Sequence, residues 1–183
     1  GEFVDAVIDP PEATFSEIYK DFIEGTDRIK IRAKANIEQL TPHMCPTFIG
    51  FPSKVSDVYR ASEFIKELRD FEENGNFPNF IIMLLPNDHT SGTQPGMPTP
   101  QAAVADNDLA LGQIVEAISK SKFWKETCIL VTEDDPQNGL DHVDGHRTVG
   151  LVISPYTKRG EVVSSYYSQI NMVRTIENIL GLE

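Results

Sequence analysis

The sequence has few cysteines and few cationic residues. Its 183 residues include two cysteines and 16 Lys or Arg residues, against 28 Asp or Glu residues. The net charge of -12 argues against broad contact with nucleic acid or with an anionic membrane surface, because both attract basic proteins. If the substrate is an anion, the positive charge that binds it must therefore be local.

The two cysteines are too few for a disulfide framework. Cys128 opens an apolar run that is typical of a strand, where a small buried thiol is common, so we do not expect it to pair with Cys45. The cysteine content consequently gives no indication of the cellular compartment.

Long hydrophobic runs are also missing. No segment approaches the roughly 18 apolar residues of a membrane span, and the opening GEFVDAVIDPPEATF has neither the basic nor the apolar region of a signal peptide. The 40% content of hydrophobic residues nevertheless suffices for a core, and the length is typical of one domain. We therefore predict a single domain over residues 1–183.

The regular elements predict an α/β fold. Nearly continuous apolar runs are typical of strands covered on both faces, and they occur at residues 80–85, 128–132 and 149–153. Helical periodicity and capping signals predict helices at residues 14–22, 57–73, 99–121 and 164–182. Strands that alternate with long helices favour a mostly parallel sheet between helical layers.

Acidic and histidine residues gather after two of the predicted strands. Residues 86–90 read PNDHT, and residues 133–148 read EDDPQNGLDHVDGHRT. In a parallel sheet, ligands bind beyond the carboxyl ends of the strands. Adjacent carboxylates repel unless a cation compensates, and zinc accepts imidazole and carboxylate ligands together. The candidate ligands of one or two metal ions are Asp88, His89, Asp134, Asp135, His142 and His146.

Other polar segments do not predict a site. His43 has no acidic neighbour and stays outside the candidate site. The triplet at residues 106–108, Asp-Asn-Asp, lacks the Gly and Glu of a calcium loop, so we expect it to have a structural role on a helix. The Gly-rich residues 90–96 lack the Lys of a phosphate-binding loop, which argues against a nucleotide triphosphatase.

A combination of motifs runs from about residue 57 to the last residue. It includes LPNDHTSG, VADNDLALG, TEDDPQNGLDHVDGHR and RTIENILGL. This combination resembles the phosphoesterase family of the alkaline phosphatase superfamily, which includes bacterial phospholipases C and acid phosphatases. The resemblance implies a three-layer α/β/α sandwich with a mostly parallel sheet, and a metal-dependent hydrolysis of phosphate esters.

The resemblance also implies roles for individual residues. Asp134 and Asp135 would bind the metal, His142, His146 or both would complete the site, and Asp88 and His89 would be ligands or phosphate contacts. Arg147 would contact the phosphate, or pair with the neighbouring Asp144. The metal would be a divalent ion, zinc first, with manganese or calcium as alternatives. The substrate would be a small phosphate ester or a phospholipid, and the location periplasmic or secreted, as for most bacterial members.

The nucleophile of this superfamily has no counterpart in the sequence. Members carry a Ser or Thr nucleophile and a further metal-binding acid or amide near the start of the catalytic domain, and no matching segment precedes residue 57. Thr47 and Ser53 lie in an irregular stretch without flanking acids. We therefore expect the chain to be the C-terminal part of a larger catalytic domain and to be nearly inactive alone. Two alternatives stay open: a non-catalytic metal-binding module, and a structural domain whose acids are solvated.

Overall fold

The computed structural model describes residues 4–134 and 147–182 of the chain. The chain divides into two units, Gly1–Lys120 and Ser121–Glu183, and each contains one two-stranded sheet together with helices. The mixed content of helices and strands confirms the predicted α/β class at this general level.

The first unit begins with a sheet whose strands are joined by a helix. Strand β1 (Val4–Asp9) pairs antiparallel with β2 (Lys30–Ala35), and helix α1 (Phe15–Glu24) lies between them in the chain. Thr14 and Glu17 form a capping box at the start of α1, which explains why this short helix was predictable. The core of this part contains Ile8, Ala13, Ile18, Ile31, Ile49 and Val55.

Two long helices follow the sheet in the first unit. Helix α2 (Asp57–Asn74) and helix α3 (Pro100–Lys120) pack against each other. Their buried apolar residues are Ala61, Phe64, Leu68, Ala103, Ala110, Ile114 and Ile118. Both helices agree with the sequence prediction, and α2 ends at Gly75, whose φ of 71° is a left-handed value that glycine adopts readily.

The prediction of a strand at residues 80–85 is wrong. This apolar segment forms no strand, although its side chains alternate between exposed and partly buried. Phe80, Ile82 and Leu84 are exposed by 52%, 83% and 47%. The physical reason is that an extended segment needs a neighbouring strand for its backbone hydrogen bonds, and within the described ranges this segment has none.

The second unit contains the other two predicted strands, but in the opposite relative direction. Strand β3 (Ile129–Thr132) pairs antiparallel with β4 (Gly150–Ile153), so the prediction of parallel pairing is wrong. Parallel neighbours need a crossover connection, usually a helix. Residues 133–149 connect these strands, and their Asp, Gly and His residues carry no helical pattern. The chain therefore returns alongside the strand that it has just left.

Helix α4 (Gln169–Leu180) ends the second unit. It stops at Gly181, as the sequence predicted, but it begins at Gln169, after a capping box of Ser168 and Asn171, and not at residue 164 as predicted. The predicted cover on both faces of the strands is not observed for β4, because Leu151 and Val152 are exposed by 40% and 48%. In the parts of the chain that the structure describes, no helix has the length and apolar character needed to cross a membrane.

Candidate active site

The N-terminus of α2 is built from buried polar residues. Ser56 precedes the helix, and its hydroxyl accepts a hydrogen bond from the Val58 N–H at 3.1 Å, which caps the helix. Asp57, the first helical residue, is fully buried. The helix dipole favours a carboxylate at this end, but a buried charge requires further partners.

Arg60 supplies the cation for this cluster. Its guanidinium lies 3.1 Å from Oδ1 of Asp57, and both side chains are fully buried. The other N–H groups of Arg60 donate hydrogen bonds to the carbonyl oxygens of Ile49, Gly50, Pro52 and Val55. All five N–H donors of the arginine therefore have an acceptor. Residues 49–55 wrap around the guanidinium, and we call this segment the arginine loop.

Two residues of α3 complete the cluster. Asp106 accepts hydrogen bonds from the Ser56 hydroxyl at 2.5 Å and from the Asp57 N–H at 2.6 Å. Asn107 donates through Nδ2 to Oδ2 of Asp57 at 3.0 Å and to the carbonyl oxygen of Leu85 at 2.8 Å. We call Asp57, Arg60, Asp106 and Asn107 the polar hub. Removing one partner of a buried ion pair typically costs roughly 3–5 kcal/mol, so the hub is expected to be sensitive to substitution.

The pKa of Asp57 is raised above its ordinary value of 3.8. Burial raises the pKa of this carboxyl group to about 6, while Arg60 and the N–H donors of Asn87 and Asn107 act in the opposite direction. The negative charge of Asp106 adds to the upward shift. The cost of burying the carboxylate thus exceeds the stabilisation that its donors provide.

A single 3₁₀ turn at residues 87–89 lies directly on the hub. The Asn87 N–H donates to Oδ2 of Asp57 at 2.9 Å, and its Nδ2 donates to Oδ2 of Asp106 at 2.9 Å. Asn87 is only 2% exposed, whereas Asp88 is partly exposed and His89 is exposed. The buried amide therefore holds the turn, and the two predicted site residues face outward from it.

The arginine loop also contacts the His89 side chain. The imidazole lies edge-on to the Phe51 ring with 5.4 Å between the ring centroids. Its Nδ1 is 3.2 Å from the carbonyl oxygen of Thr90, and the His89 N–H donates to Oδ1 of Asp88 at 3.1 Å. Two separate segments, both fixed by the hub, thus determine where the imidazole lies.

The turn contains two energetically costly features. Thr90 has φ 59° and ψ 173°, a combination that only glycine adopts readily. Asn87 Oδ1 is buried and has no hydrogen-bond partner among the described residues. Each feature typically costs roughly 1–3 kcal/mol. Such costs persist only where the surrounding structure enforces them, and they often mark functional segments.

A small cleft lies beside the turn. The hydroxyl oxygens of Ser53 and Ser91 are 3.1 Å apart, so the arginine loop and the turn segment meet here. The cleft has a volume of about 10 Å³ and is lined by Ser53, Asn87, Thr90, Ser91, Met97, Pro98 and Ala103. This volume admits about one water molecule. The cleft is therefore too small to hold a substrate, although polar groups line it.

The second predicted cluster begins at the end of β3, in the other unit. Glu133 extends the strand pairing through its N–H, which donates to the Val149 carbonyl oxygen at 3.1 Å, and its carboxylate accepts from the Thr148 hydroxyl at 3.1 Å. Gln169 Nε2 donates to the Asp134 carbonyl oxygen at 2.8 Å, which joins the first residue of α4 to this segment. The side chain of Asp134 is exposed.

The predicted site residues fall into three groups. Asp88 and His89 share the turn in the first unit, and Asp134 and Arg147 are exposed in the second. The remaining predicted ligands lie outside the described residues: Asp135, His142 and His146. Within the described ranges, no group of three His, Cys, Asp or Glu side chains is placed to hold a metal ion. The binding of one or two metal ions by the six predicted ligands therefore stays a prediction.

Most of the polar hub was not predicted from the sequence. Asp106 was expected to have a structural role on a helix, and its contacts agree with that expectation. Arg60 was not recognised, although it is spaced by four residues from Phe64 and so lies on the buried face of α2. A charged residue at a buried helical position is the signal that could have revealed it.

The motifs and the site can be compared with known proteins. A sequence model described as the Phosphoesterase family matches residues 17–183. The chain belongs to the phosphoesterase family. The match spans the polar hub, the turn at residues 87–89 and the acidic segment after β3. It confirms the family that the motifs indicated, and membership indicates a hydrolase that acts on phosphate esters. No match was found among curated proteins or among solved structures.

Proposed function

We propose that this phosphoesterase hydrolyses phosphate esters in a metal-dependent reaction, and that residues 1–183 supply the C-terminal metal-binding part of the active site. The observation that carries the proposal is the family match over residues 17–183, which includes both acidic and histidine clusters. The substrate is a small phosphate ester or a phospholipid. We also propose that the protein is periplasmic or secreted, because most bacterial members of the family are exported from the cytoplasm.

The chemistry of the available side chains fits a divalent metal. Carboxylates and imidazoles together suit zinc. Manganese or calcium would be bound by a larger share of oxygen ligands. In the described part of the proposed set, His89 and Asp134 are exposed and Asp88 is partly exposed, in contrast to the fully buried Asp57. The proposed ligands are Asp88, His89, Asp134, Asp135, His142 and His146. When bound, the ion would polarise the phosphoryl oxygens and activate the attacking group.

Binding of the phosphate and attack on it are proposed for residues outside the set of metal ligands. Arg147 is exposed and directly follows the segment of proposed ligands, so its guanidinium is suited to bind a phosphate oxygen. The nucleophile is proposed to belong to a preceding segment of a longer polypeptide. The three-layer α/β/α sandwich that the family resemblance implies is proposed for that longer polypeptide, with β3 and β4 as antiparallel neighbours in it.

A paired assay with a chromogenic phosphate monoester and diester tests this function. The longer polypeptide should hydrolyse at least one ester when zinc, manganese or calcium is added, and residues 1–183 alone should be nearly inactive. Asp135→Ala in the longer polypeptide should lower kcat/KM by about a hundredfold or more, because metal-centred stabilisation is worth several kcal/mol. Metal content measured on both proteins would show whether binding changes with activity.

The control is Glu161→Ala, which removes an exposed acid from the same unit and should leave kcat/KM unchanged within experimental error. Strong turnover by residues 1–183 would show that the nucleophile lies within them. A longer polypeptide that binds metal but hydrolyses no ester would favour the non-catalytic metal-binding module instead.

A further inference from the structure

We propose that the polar hub is a positioning device: Asp57, Asp106 and Asn107 fix the turn at residues 87–89 so that Asp88 and His89 are presented in one orientation. This inference rests on the proposed function, because only that function gives Asp88 and His89 a chemical role. Asp57, Asp106 and Asn107 act through the turn and not on the substrate.

The contacts hold the N-terminal end of the turn. Asn87 is held twice, by Asp57 through its main-chain N–H and by Asp106 through its side-chain amide, each at 2.9 Å. Asn107 binds the carbonyl oxygen of Leu85, on the other side of Pro86, at 2.8 Å. The hydrogen bonds therefore bracket the residues that immediately precede Asp88. A turn fixed in this way has little freedom to rotate its outward side chains.

The hub also fixes the surface against which His89 packs. Arg60 binds the carbonyl oxygens of Gly50 and Pro52, on either side of Phe51. The Phe51 ring then contacts the imidazole, with 5.4 Å between the centroids. Asp57 joins the two halves, since one carboxylate oxygen accepts from Arg60 and the other from Asn87. The backbone of His89 and its ring contact thus depend on the same buried carboxylate.

The two energetically costly features of the turn, at Thr90 and Asn87, argue for a positioning role and against a role in stability alone. If the segment served stability alone, a glycine at position 90 would adopt the positive φ without the steric cost that Thr90 bears, and a residue without an unpaired buried oxygen would suit position 87 better. The hub instead holds the turn in a conformation that the turn does not prefer. A strained turn whose two outward residues are an acid and a histidine is typical of a segment that places those side chains for a function.

Nuclear magnetic resonance of the histidine rings tests this placement directly in the 183-residue chain. The ring current of Phe51 should displace the proton signals of the His89 ring from those of a free histidine, and loss of the signals in His89→Gln assigns them. In Asn107→Ala, the displacement should fall by about half or more, because the turn loses its bond at Leu85 and Asp57 loses one donor. The signals of His43 should not move.

Asp106→Asn is the conservative second variant, for use if Asn107→Ala fails to fold, and Asp108→Asn is the matched control. Asp108 lies on the same helix and is exposed, so its substitution should leave the His89 signals unchanged. Circular dichroism establishes that each variant is folded. Folded hub variants whose His89 signals coincide with those of the wild type would overturn the proposal, because the hub would then stabilise the fold without placing the turn.

The second readout is the kinetics of the longer polypeptide. Asn107→Ala should lower kcat by about tenfold or more with KM changed by less than about threefold, since misplacement of reacting groups affects the chemical step most. An equal loss in Asp108→Asn would contradict the inference. If the wild-type protein hydrolyses no ester, the proposed function fails, while the resonance measurement still decides whether the hub places His89.

Discussion

At the residue scale, Asp57 is a single residue whose hydrogen bonds connect helix α2, helix α3 and the turn at residues 87–89. Its main-chain N–H donates to Asp106, and its side chain accepts hydrogen bonds from Arg60, Asn87 and Asn107. Each acceptor bond favours the ionised form, yet burial raises the pKa to about 6. The protonation of one buried group therefore couples to the stability of the whole hub.

We predict that Asp57 makes the stability of the chain depend on pH between 4 and 7. The folded-state pKa of about 6 lies above the ordinary value of 3.8, so the folded chain binds this proton more tightly than the unfolded chain. The stabilising contribution of this group is complete below about pH 4 and is lost as the pH rises through about 6, a change of roughly 3 kcal/mol. Urea unfolding of the wild type and of Asp57→Asn at several pH values measures it.

The comparison of the two proteins isolates this group from all others that titrate. Because Asp57→Asn cannot titrate, the free energy of unfolding of the variant should rise relative to that of the wild type as the pH increases from 4 to 7. A difference that stays constant over this range would show that the Asp57 pKa is the same in the folded and unfolded states.

At the element scale, the contact between β1 and the arginine loop depends on Gly50. A Cβ atom at this position would overlap the main-chain carbonyl oxygen of Val4, which cannot move without displacing the strand. The same residue gives its own carbonyl oxygen to Arg60. The close approach of these two backbones therefore joins the sheet of the first unit to the polar hub.

We predict that Gly50→Ala lowers the free energy of unfolding by about 1–3 kcal/mol or more, which is typical of forcing an atom into a packed region. The matched control is Gly112→Ala in the interior of α3, where an added Cβ meets no other atom. That change should raise the free energy of unfolding by roughly 0.5–1 kcal/mol, because alanine is the better helix former. Thermal or urea unfolding measures both. Equal effects of the two substitutions would contradict the steric argument.

The elements that were predictable from sequence are those specified by nearby residues. The ends of α2 and α4 follow from Gly75 and Gly181, each directly after its helix. Strands β1 and β2 were missed, although KIRAKA at residues 30–35 alternates between polar and apolar residues, which is the pattern of a half-buried strand. A closer count of that alternation would have found it.

The elements that were mispredicted depend on distant residues. An apolar run such as residues 80–85 has the composition of a strand, but a strand exists only where a neighbour pairs with it. The direction of β4 relative to β3 likewise depends on the path of the connection and not on either strand. In the candidate site, the hydrogen bonds of Asp106 to Ser56 and Asp57 join residues 50 and 49 positions apart, so no local pattern predicts them.

At the scale of the whole chain, the net charge of -12 on residues 1–183 opposes the approach of an anionic substrate. Phosphate esters are anions, so the proposed function requires a locally positive site within a negative surface. Screening by salt should weaken the long-range repulsion more than the short-range attraction at the site. The charge of the protein therefore has a kinetic consequence.

We predict that the negative charge of residues 1–183 makes kcat/KM of the longer polypeptide rise when the ionic strength increases from about 10 mM to about 150 mM, as the Debye length shrinks from about 30 Å to about 8 Å. The rise should be larger for a dianionic monoester than for a monoanionic diester, because repulsion scales with substrate charge. Steady-state kinetics with both esters measures it. A fall for both substrates would mean that the positive site dominates the field.

The contacts of Arg60 with the arginine loop and those of the hub with the 87–89 turn differ in the length of chain that each contact closes. Arg60 binds carbonyl oxygens 5 to 11 residues earlier, whereas Asp57 binds the main-chain N–H of Asn87 across 30 residues. The longer closure costs about 0.9–1.6 kcal/mol more conformational entropy. We therefore expect the hydrogen bonds that hold the 87–89 turn to open while the hydrogen bonds between Arg60 and the arginine loop stay closed. Amide hydrogen exchange would then be faster at Asn87 than at Val55, and the reverse order would refute this hierarchy.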